Sequence, residues 1–300
     1  MSILNMPSDG LFNVLIVLVR AAVRLGPKPR PELLKACGAD LTMVDPKQLS
    51  QTLTRWMELG LFEASDGTVT IADPYRGQLG RNADVAEGRL RKIVRTIVLA
   101  PENNARFWES EENKSADLSR GLSWILAQNV YTIDTSSHSK IQPLENEQIP
   151  DLAKRIFQND TRWNGLRTWM IYLGFGRPGA QVTIDPTEAL RDVLPEIFGG
   201  QSTLFAGDFV ARAAEVLPVL DDGRYRSQME EILNPTIWAA PADGRVSTSL
   251  SRAIQRLERE GLLATEQKSD TEGGIVLQGT DSRTWREMTH IRLLKPKKAK

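Results

Sequence analysis

Four residues in one short segment have the side-chain types of a nucleophilic catalytic site: Asp134, Ser136, Ser137 and His138. Such a site needs a base within hydrogen-bonding reach of the nucleophile and a carboxylate behind the base, which chain neighbours in a polar loop do not provide. The acidic runs at 109–112 and 145–151 are expected to be solvated loops and not paired carboxylates for acid–base catalysis. We therefore predict no catalytic residue and no enzymatic activity.

Residues that could bind a metal or a cofactor are scarce. The chain has one cysteine, Cys37, and two histidines, His138 and His290, too few for a zinc site with the usual ligands. The glycine-rich stretches at 174–179 and 273–274 match neither a dinucleotide-binding pattern nor a P-loop. We predict no metal and no cofactor, and we interpret Cys37 as a small buried side chain in a reducing compartment.

The most informative spacing of polar residues lies near the C-terminus. In a helix that begins after Ser247, the apolar residues Leu250, Ile254 and Leu257 form the buried stripe. The opposite face then carries three arginines, two neutral hydrogen-bonding residues and no acid: Thr248, Arg252, Gln255, Arg256 and Arg259. Such a face can contact base edges and phosphates in a DNA groove, whereas the alternative is an ordinary solvated helix surface.

Two further helices differ in how well they suit DNA. The helix that starts after Asp45 buries Leu49, Leu53 and Trp56 and turns outward Lys47, Gln51, Thr54, Arg55 and Glu58. This face could contact DNA, although the negative charge of Glu58 is unfavourable beside phosphates. The helix at 164–173 turns outward Asn164, Thr168, Ile171 and Tyr172, which is typical of a protein contact. The tail Lys295 to Lys300 is predicted either to add salt-sensitive phosphate contacts or to be a disordered basic tail without a partner.

Small domains must position these helices. The first seventy or so residues predict a helix, a short helix, a longer helix and a hairpin with its turn at Ser65-Asp66-Gly67, an order typical of a winged helix-turn-helix domain. The exit from helix to strand at Gly60 is repeated at Gly174 and Gly261. We therefore predict three winged-helix units. Chance similarity of short helix-to-strand segments would also explain the middle one. In the last unit the segment 275–277 is expected to be the returning strand.

The predicted fold class is mainly α with small β-hairpin wings, with multiple winged helix-turn-helix domains joined by helical segments. We place an N-terminal domain at 1–75, a helical middle region at 76–200 with a second unit at about 151–200, a C-terminal domain at 201–294 and the basic tail at 295–300. Residues 135–150 are rich in Ser, Gln and Pro and predict a loop or linker. Trp108, Trp124, Trp163 and Trp169 fall at helical spacing and predict core packing.

Composition and charge restrict the class of protein. A chain of 300 residues that is 41% hydrophobic and 25% charged is typical of a globular protein of two or three domains, which excludes disorder throughout. The 38 basic and 38 acidic residues cancel, so binding to nucleic acid would depend on local patches. By thirds the chain holds 13 basic and 10 acidic, 10 and 14, and 15 and 14 residues, so only the middle is acidic. The apolar run Leu11 to Val19 is too short to span a membrane, and we expect a cytoplasmic protein.

The opening segment carries a family resemblance. Leu4-Asn5-Met6-Pro7-Ser8-Asp9-Gly10-Leu11, followed by the apolar run 14–18, resembles the start of the DpdG proteins, and the overall length agrees. These proteins are bacterial components of gene clusters that place 7-deazapurine bases in DNA and act against unmodified DNA. The resemblance implies an accessory, non-catalytic component of a DNA modification and restriction system with partners from the same cluster. It implies no catalytic motif for any position of this chain.

The residues and the resemblance together predict a DNA-binding accessory protein that recruits or positions a modification or restriction machine of an antiviral defence system on double-stranded DNA. Two alternatives stay open: a scaffold whose winged helices bind only protein, and a winged-helix transcriptional regulator. Other proteins of the same cluster are the expected partners. A homo-oligomer is compatible with the sequence, and a membrane partner is not expected.

Overall fold

The computed structural model describes residues 3–4, 12–109, 113–268 and 273–294. Contacts between Cα atoms divide the chain into two compact units, Met1–Leu118 and Ser119–Lys300. The first unit contains the predicted N-terminal domain together with the helices that follow it. The second contains both the predicted middle unit and the predicted C-terminal domain. The finer boundaries after residues 75 and 200 stay predictions, and the tail 295–300 lies outside the described residues.

The first unit alternates helices with short strands in the order α1 (Phe12–Leu25), β1 (Lys28–Pro29), α2 (Arg30–Ala36), α3 (Pro46–Glu58), β2 (Phe62–Ser65), β3 (Thr68–Ile71), α4 (Tyr75–Leu79) and α5 (Ala83–Leu99). The strands form an antiparallel sheet in the order β1-β3-β2. Asp45 caps α3 by accepting the N–H of Lys47 at 2.9 Å, and Asn82 caps α5 by accepting the N–H of Asp84 at 2.9 Å. The apolar side of α1 packs against α3 and α5, which places the core of the unit between these helices and the sheet.

The second unit has the order α6 (Ala116–Ala127), α7 (His138–Gln148), α8 (Asp160–Tyr172), β4 (Gly176–Arg177), β5 (Thr183–Ile184), α9 (Thr187–Asp192), α10 (Leu194–Phe198), β6 (Thr203–Phe205), α11 (Ala206–Val216), α12 (Arg224–Glu230), α13 (Thr248–Arg259), β7 (Leu263–Glu266), β8 (Ile275–Gln278), β9 (Thr284–Met288) and β10 (His290–Leu293). The first residues of α6 precede the division between the units. The element α7 replaces the loop predicted at 135–150. Burial of Ile141, Glu145 and Gln148 outweighs the polar composition and the proline of this segment.

The last strands of the second unit pair differently from the prediction. Its main sheet has the order β6-β10-β7, with all pairs antiparallel. The expected returning strand at 275–277 lies in β8, which pairs with β9 and not with β7. The returning strand is β10. Because β10 is distant in sequence from β7, its pairing is set by tertiary packing, which strand periodicity does not reveal.

Three helices end in the same hydrogen-bonded turn. Gly60, Gly174 and Gly261 follow α3, α8 and α13 with φ of 95°, 84° and 71°, in the left-handed region that favours glycine. The residue after each glycine donates its N–H to the carbonyl five residues earlier, at 2.8 to 2.9 Å. The carbonyl of that residue accepts an N–H at the end of a later strand, at 2.8 to 3.0 Å. The repeated exit predicted from the sequence is therefore a repeated backbone geometry.

The aromatic core of the second unit agrees with the packing prediction. Trp124, Trp163 and Trp169 are buried, and Phe157 packs edge-on against the rings of both Trp124 and Trp163, at centroid distances of 5.5 and 5.3 Å. In the first unit, Trp108 is half-buried against Phe107. The molecule is mainly helical with small antiparallel sheets of two or three strands. This agrees with the predicted fold class, which is mainly α with small β elements. No helix in the described ranges has the length and apolar character needed to cross a membrane.

Candidate nucleic-acid interface

The α3 helix of the first unit presents a polar end to solvent. Lys47 is exposed in its first turn, and Gln51 and Thr54 are half-buried farther along the helix. The predicted inward stripe is confirmed, because Leu49, Leu53 and Trp56 are all buried. The exposed end of α3 therefore offers a cation and hydrogen-bonding side chains, which are the groups that contact phosphates and base edges.

Arg30, which the sequence analysis did not single out, adds a second cation beside α3. Its guanidinium donates to the carbonyl and the hydroxyl of Ser50 at 2.9 and 3.0 Å and to the hydroxyl of Thr54 at 2.6 Å. Thr54 in turn donates to the carbonyl of Ser50 at 3.0 Å. Within the described part of the chain, Arg30 has no carboxylate partner. The sequence did not indicate that Arg30 lies beside α3, because Arg30 is the first residue of α2 and only the packing of α2 on α3 brings it there.

Arg55 does not point outward as predicted. It is 2% exposed, and it lies on α3 between Thr52 and Leu59, which are also buried. These three residues follow one another at helical spacing, so α3 has a second buried row beside the stripe used for the prediction. The prediction of an outward Arg55 is therefore wrong, because the sequence revealed only one of the two packed sides of this helix. Its neighbour Glu58 is exposed, as predicted.

The predicted polar face of α13 is brought together along one cavity of the second unit. Arg252, Gln255, Arg256 and Arg259 all line a space of about 670 Å³, with the β4–β5 hairpin opposite. Thr248 lies elsewhere: it is buried, its hydroxyl accepts the N–H of Val130 at 3.0 Å, and the same hydroxyl donates to the carbonyl of Gln128 at 3.3 Å. We refer below to the cavity lined by α13 and the β4–β5 hairpin as the arginine cleft.

Two arginines of the arginine cleft are fixed by acceptors of the protein. Arg252 donates to the carbonyls of Ile184 and Val130 at 2.9 and 3.4 Å, and its guanidinium lies 4.8 Å from the centroid of the Tyr131 ring. Arg256 donates to the carboxylate of Asp185 at 2.9 Å. The Asp185 side chain is 1% exposed. It therefore forms a buried anchor for one wall of the cleft.

Four other residues of the lining have fewer polar partners within the protein. Arg177 is 44% exposed and lies 4.0 Å from the Asp185 carboxylate. Arg259 is exposed, with its guanidinium 5.6 Å from the centroid of the Trp285 ring. Trp285 is itself 51% exposed. Gln255 is 6% exposed, and its amide nitrogen has no hydrogen-bond partner among the described residues.

The prediction that Thr248 and Gln255 face outward is wrong, because both side chains are buried. Helical periodicity identifies the side of α13 that faces away from its own core, but not the segment that covers this side. Part of this side of α13 is covered by residues around Val130 and Ile184, which are distant from α13 in sequence. Arg252, Arg256 and Arg259 thus face a cleft and not the open surface that a helix in a major groove requires. Whether these residues contact DNA stays a prediction.

The residue types of a catalytic triad do not assemble. Asp134 accepts the N–H of Ser136 at 2.9 Å, and its hydrogen bonds to the side chain and backbone of Ser136 lower the pKa of the Asp134 carboxyl. His138 is buried, and its Nε2 atom lies 2.7 Å from the carbonyl of Phe157. The hydroxyl of Ser137 hydrogen-bonds to that of Ser139 at 2.8 Å. These contacts are those of a turn and a helix start, with no shared reacting centre among them.

Comparison with known proteins places the chain in a family. A family model described as DpdG-like matches residues 1–271 of the chain. No curated protein and no solved structure matches the chain. The matched range includes all of the first unit, α13 and β7, whereas β8, β9 and β10 follow it.

Proposed function

The chain belongs to the DpdG-like family, and from this premise we propose that it is a non-catalytic DNA-binding component that recruits or positions partner proteins on DNA. The family has its role in the 7-deazapurine DNA modification cluster, so the other proteins of that cluster are the proposed partners. The proposed ligand of the first unit is duplex DNA.

The arrangement of helices and strands supports winged helix-turn-helix units. In the first unit the helices α1, α2 and α3 precede the β2–β3 hairpin. The strand β1 between α1 and α2 pairs with β3, the second strand of the hairpin, so the sheet has the order β1-β3-β2. In the second unit the order β6-β10-β7 repeats this pattern around α11 and α13. The shared turn at Gly60, Gly174 and Gly261 supports the third unit, around α8.

The polar end of α3 is the observation that carries the DNA-binding proposal. In helix-turn-helix proteins the second helix of the motif lies in the major groove, and its N-terminal residues contact the bases. Here the corresponding helix is α3, and its N-terminal half carries the exposed Lys47 and the half-buried Gln51. Arg30 and Thr54 extend the same surface through their hydrogen bond. These four residues are the proposed contacts with duplex DNA.

A mobility-shift experiment tests the proposal. The purified chain is titrated into labelled duplex DNA at two salt concentrations, alongside the double variant Lys47→Ala/Gln51→Ala. We expect retardation by the wild type that weakens at the higher salt, and about tenfold weaker binding by the variant. The matched control is Arg81→Ala, which removes an exposed cation of the same unit outside α2 and α3 and should bind as the wild type does.

Two results would contradict the proposal. Absence of retardation even at low salt would favour a scaffold whose winged helices bind only protein. Equal weakening by the double variant and by Arg81→Ala would show that the contact is not made by α3. A gene neighbourhood that lacks an enzyme placing 7-deazapurine bases in DNA would instead favour a transcriptional regulator that uses the same DNA-binding surface.

A further inference from the structure

The arginine cleft has an excess of positive charge. Four guanidinium groups and two carboxylates line it. Arg252 and Arg256 are oriented by protein acceptors, as described above, and act as positioning residues. Arg177 and Arg259 are the two cations with the weakest partners within the protein: the Arg177 guanidinium lies 4.0 Å from the Asp185 carboxylate, and the Trp285 ring is the one polar or ring partner of Arg259 among the described residues. An anion such as a phosphate is the group that this pair can bind.

A buried amide points to a second ligand group. Gln255 lines the cleft between Arg252 and Arg256 on α13, is 6% exposed, and leaves its amide nitrogen without a hydrogen-bond partner in the described residues. Buried polar groups in folded proteins nearly always have a partner, and an exception calls for an explanation. A ligand that carries a hydrogen-bond acceptor would supply the missing partner. The edge of a nucleobase offers both acceptors and donors to such an amide.

An exposed aromatic ring completes the set. Trp285 lies in β9 and lines the same cleft, with 51% of the residue exposed. Its contact with the Arg259 guanidinium places a cation beside a flat apolar surface. A base can stack on such a ring while its phosphate binds the cation, which is the combination that single-strand binding proteins use.

We propose that the arginine cleft binds a nucleotide that is not base-paired, either free or within single-stranded DNA. The phosphate lies against Arg177 and Arg259, the base stacks on Trp285, and the amide of Gln255 hydrogen-bonds to the base edge. The volume of about 670 Å³ is within the range of roughly 300 to 1,000 Å³ typical of small-ligand sites. The β4–β5 hairpin opposite α13 limits the cleft to a single strand, since a duplex would need the helix face to be open.

The site goes beyond the proposed duplex binding by α3 and does not depend on it. The two surfaces lie in different compact units and share no residue. A variant of one surface is therefore expected to leave binding at the other unchanged. In the same assays, Lys47→Ala/Gln51→Ala should bind a single strand as the wild type does, so failure of one proposal is distinguishable from failure of the other.

Fluorescence anisotropy of a labelled single-stranded DNA of about ten nucleotides, with dGMP and dAMP as unlabelled competitors, tests the cleft. We expect the full-length wild type to bind, and Arg259→Ala and Trp285→Ala each to bind about tenfold more weakly. Displacement of the strand by a mononucleotide would show that a free nucleotide is enough to occupy the arginine cleft. Strand binding without such displacement identifies single-stranded DNA as the source. Either result supports the site when the two variants weaken binding.

The matched control for charge is Arg292→Ala, which removes a side chain that is 49% exposed and paired with Glu266 in the same unit, outside the cleft. It should change binding less than twofold. Gln255→Met keeps the length of the side chain and removes the amide. We expect this variant to fold normally, to bind more weakly, and to discriminate less between strands of different single bases.

Three results would overturn the proposal. One is that neither the strand nor a mononucleotide binds. Another is that Arg259→Ala and Trp285→Ala bind as tightly as Arg292→Ala. The third is that inorganic phosphate competes as well as dGMP and that Trp285→Ala has no effect, because the cleft would then be a simple anion site.

Discussion

The buried carboxylate of Asp117 binds the backbone near the start of the chain. Asp117 is fully buried and accepts the N–H groups of Ile3 and Leu4 at 3.2 and 2.6 Å. Replacing it with alanine leaves both donors buried without a partner, at about 1–3 kcal/mol each. We predict that Asp117→Ala lowers the free energy of unfolding by at least about 2 kcal/mol in urea denaturation. Asp84→Ala, which removes an exposed carboxylate paired with Arg20, should cost less than about 1 kcal/mol; equal losses would contradict this role of Asp117.

The single cysteine is expected to be unreactive at neutral pH. Burial raises the pKa of the Cys37 thiol to about 11, so almost none of it is thiolate at pH 7.5. Alkylation by iodoacetamide, followed by mass spectrometry of the folded chain, should be at least about tenfold slower than for free cysteine, because the scarcity of thiolate outweighs the higher nucleophilicity of a high-pKa thiolate. Its rate should keep rising up to pH 10 and beyond. A rate that levels off near pH 8.5 would show an ordinary thiol.

The buried carboxyl of Glu145 gives the second unit a defined pH dependence. Burial raises its pKa, although its carboxylate accepts the N–H groups of Ile156 and Phe157 at 2.5 and 3.0 Å. Above the ordinary pKa the unfolded chain loses this proton before the folded chain does. The contribution of Glu145 to stability therefore falls as the pH rises through the raised pKa. We predict that the Tm of Glu145→Gln relative to wild type increases between pH 4 and pH 7, and a constant difference would contradict the raised pKa.

At the scale of elements, the three repeated turns allow a matched comparison. A Cβ atom at Gly174 would lie 2.9 Å from the backbone nitrogen of Ala189, whereas a Cβ at Gly60 or Gly261 would meet nothing within 4 Å. All three have positive φ, so each alanine pays for the left-handed conformation, about 1 kcal/mol. We predict that Gly60→Ala and Gly261→Ala each lower the unfolding free energy by about that amount and that Gly174→Ala costs clearly more. Equal costs in chemical denaturation would contradict the close packing of α9 on this turn.

Local elements could be predicted from the sequence, and tertiary pairings could not. Asp45 and Pro46 mark the start of α3 and Gly60 its end, because caps and turns depend on neighbours in the chain. The partner of β7 could not be predicted, since β10 returns to it only after the β8–β9 hairpin. The same limit applies to the candidate site. Periodicity grouped Arg252, Arg256 and Arg259 on one side of α13, but Arg177 and Trp285 reach the cleft from other elements.

At the scale of the whole molecule, neutrality is a property of each unit. The range 1–118 holds 15 basic and 15 acidic residues, and 119–300 holds 23 and 23. The acidic middle found by counting thirds is therefore not a separate acidic body, because its residues are divided between two neutral units. Any attraction to phosphates comes from local groups of cations such as Lys47 with Arg30. Binding to duplex DNA should accordingly be weak and should involve few phosphates.

The number of phosphate contacts can be measured from the dependence of binding on salt. Each contact contributes about −0.9 to the slope of log K against log salt concentration for duplex DNA. With Lys47 and Arg30 as the cations of the α3 surface, the expected slope is about −1.8. Lys47→Ala should reduce its magnitude by about 0.9, while Arg81→Ala should leave it unchanged. A much steeper slope would contradict the assignment of duplex binding to two cations beside α3, because a neutral unit would then have to bind through a larger basic surface.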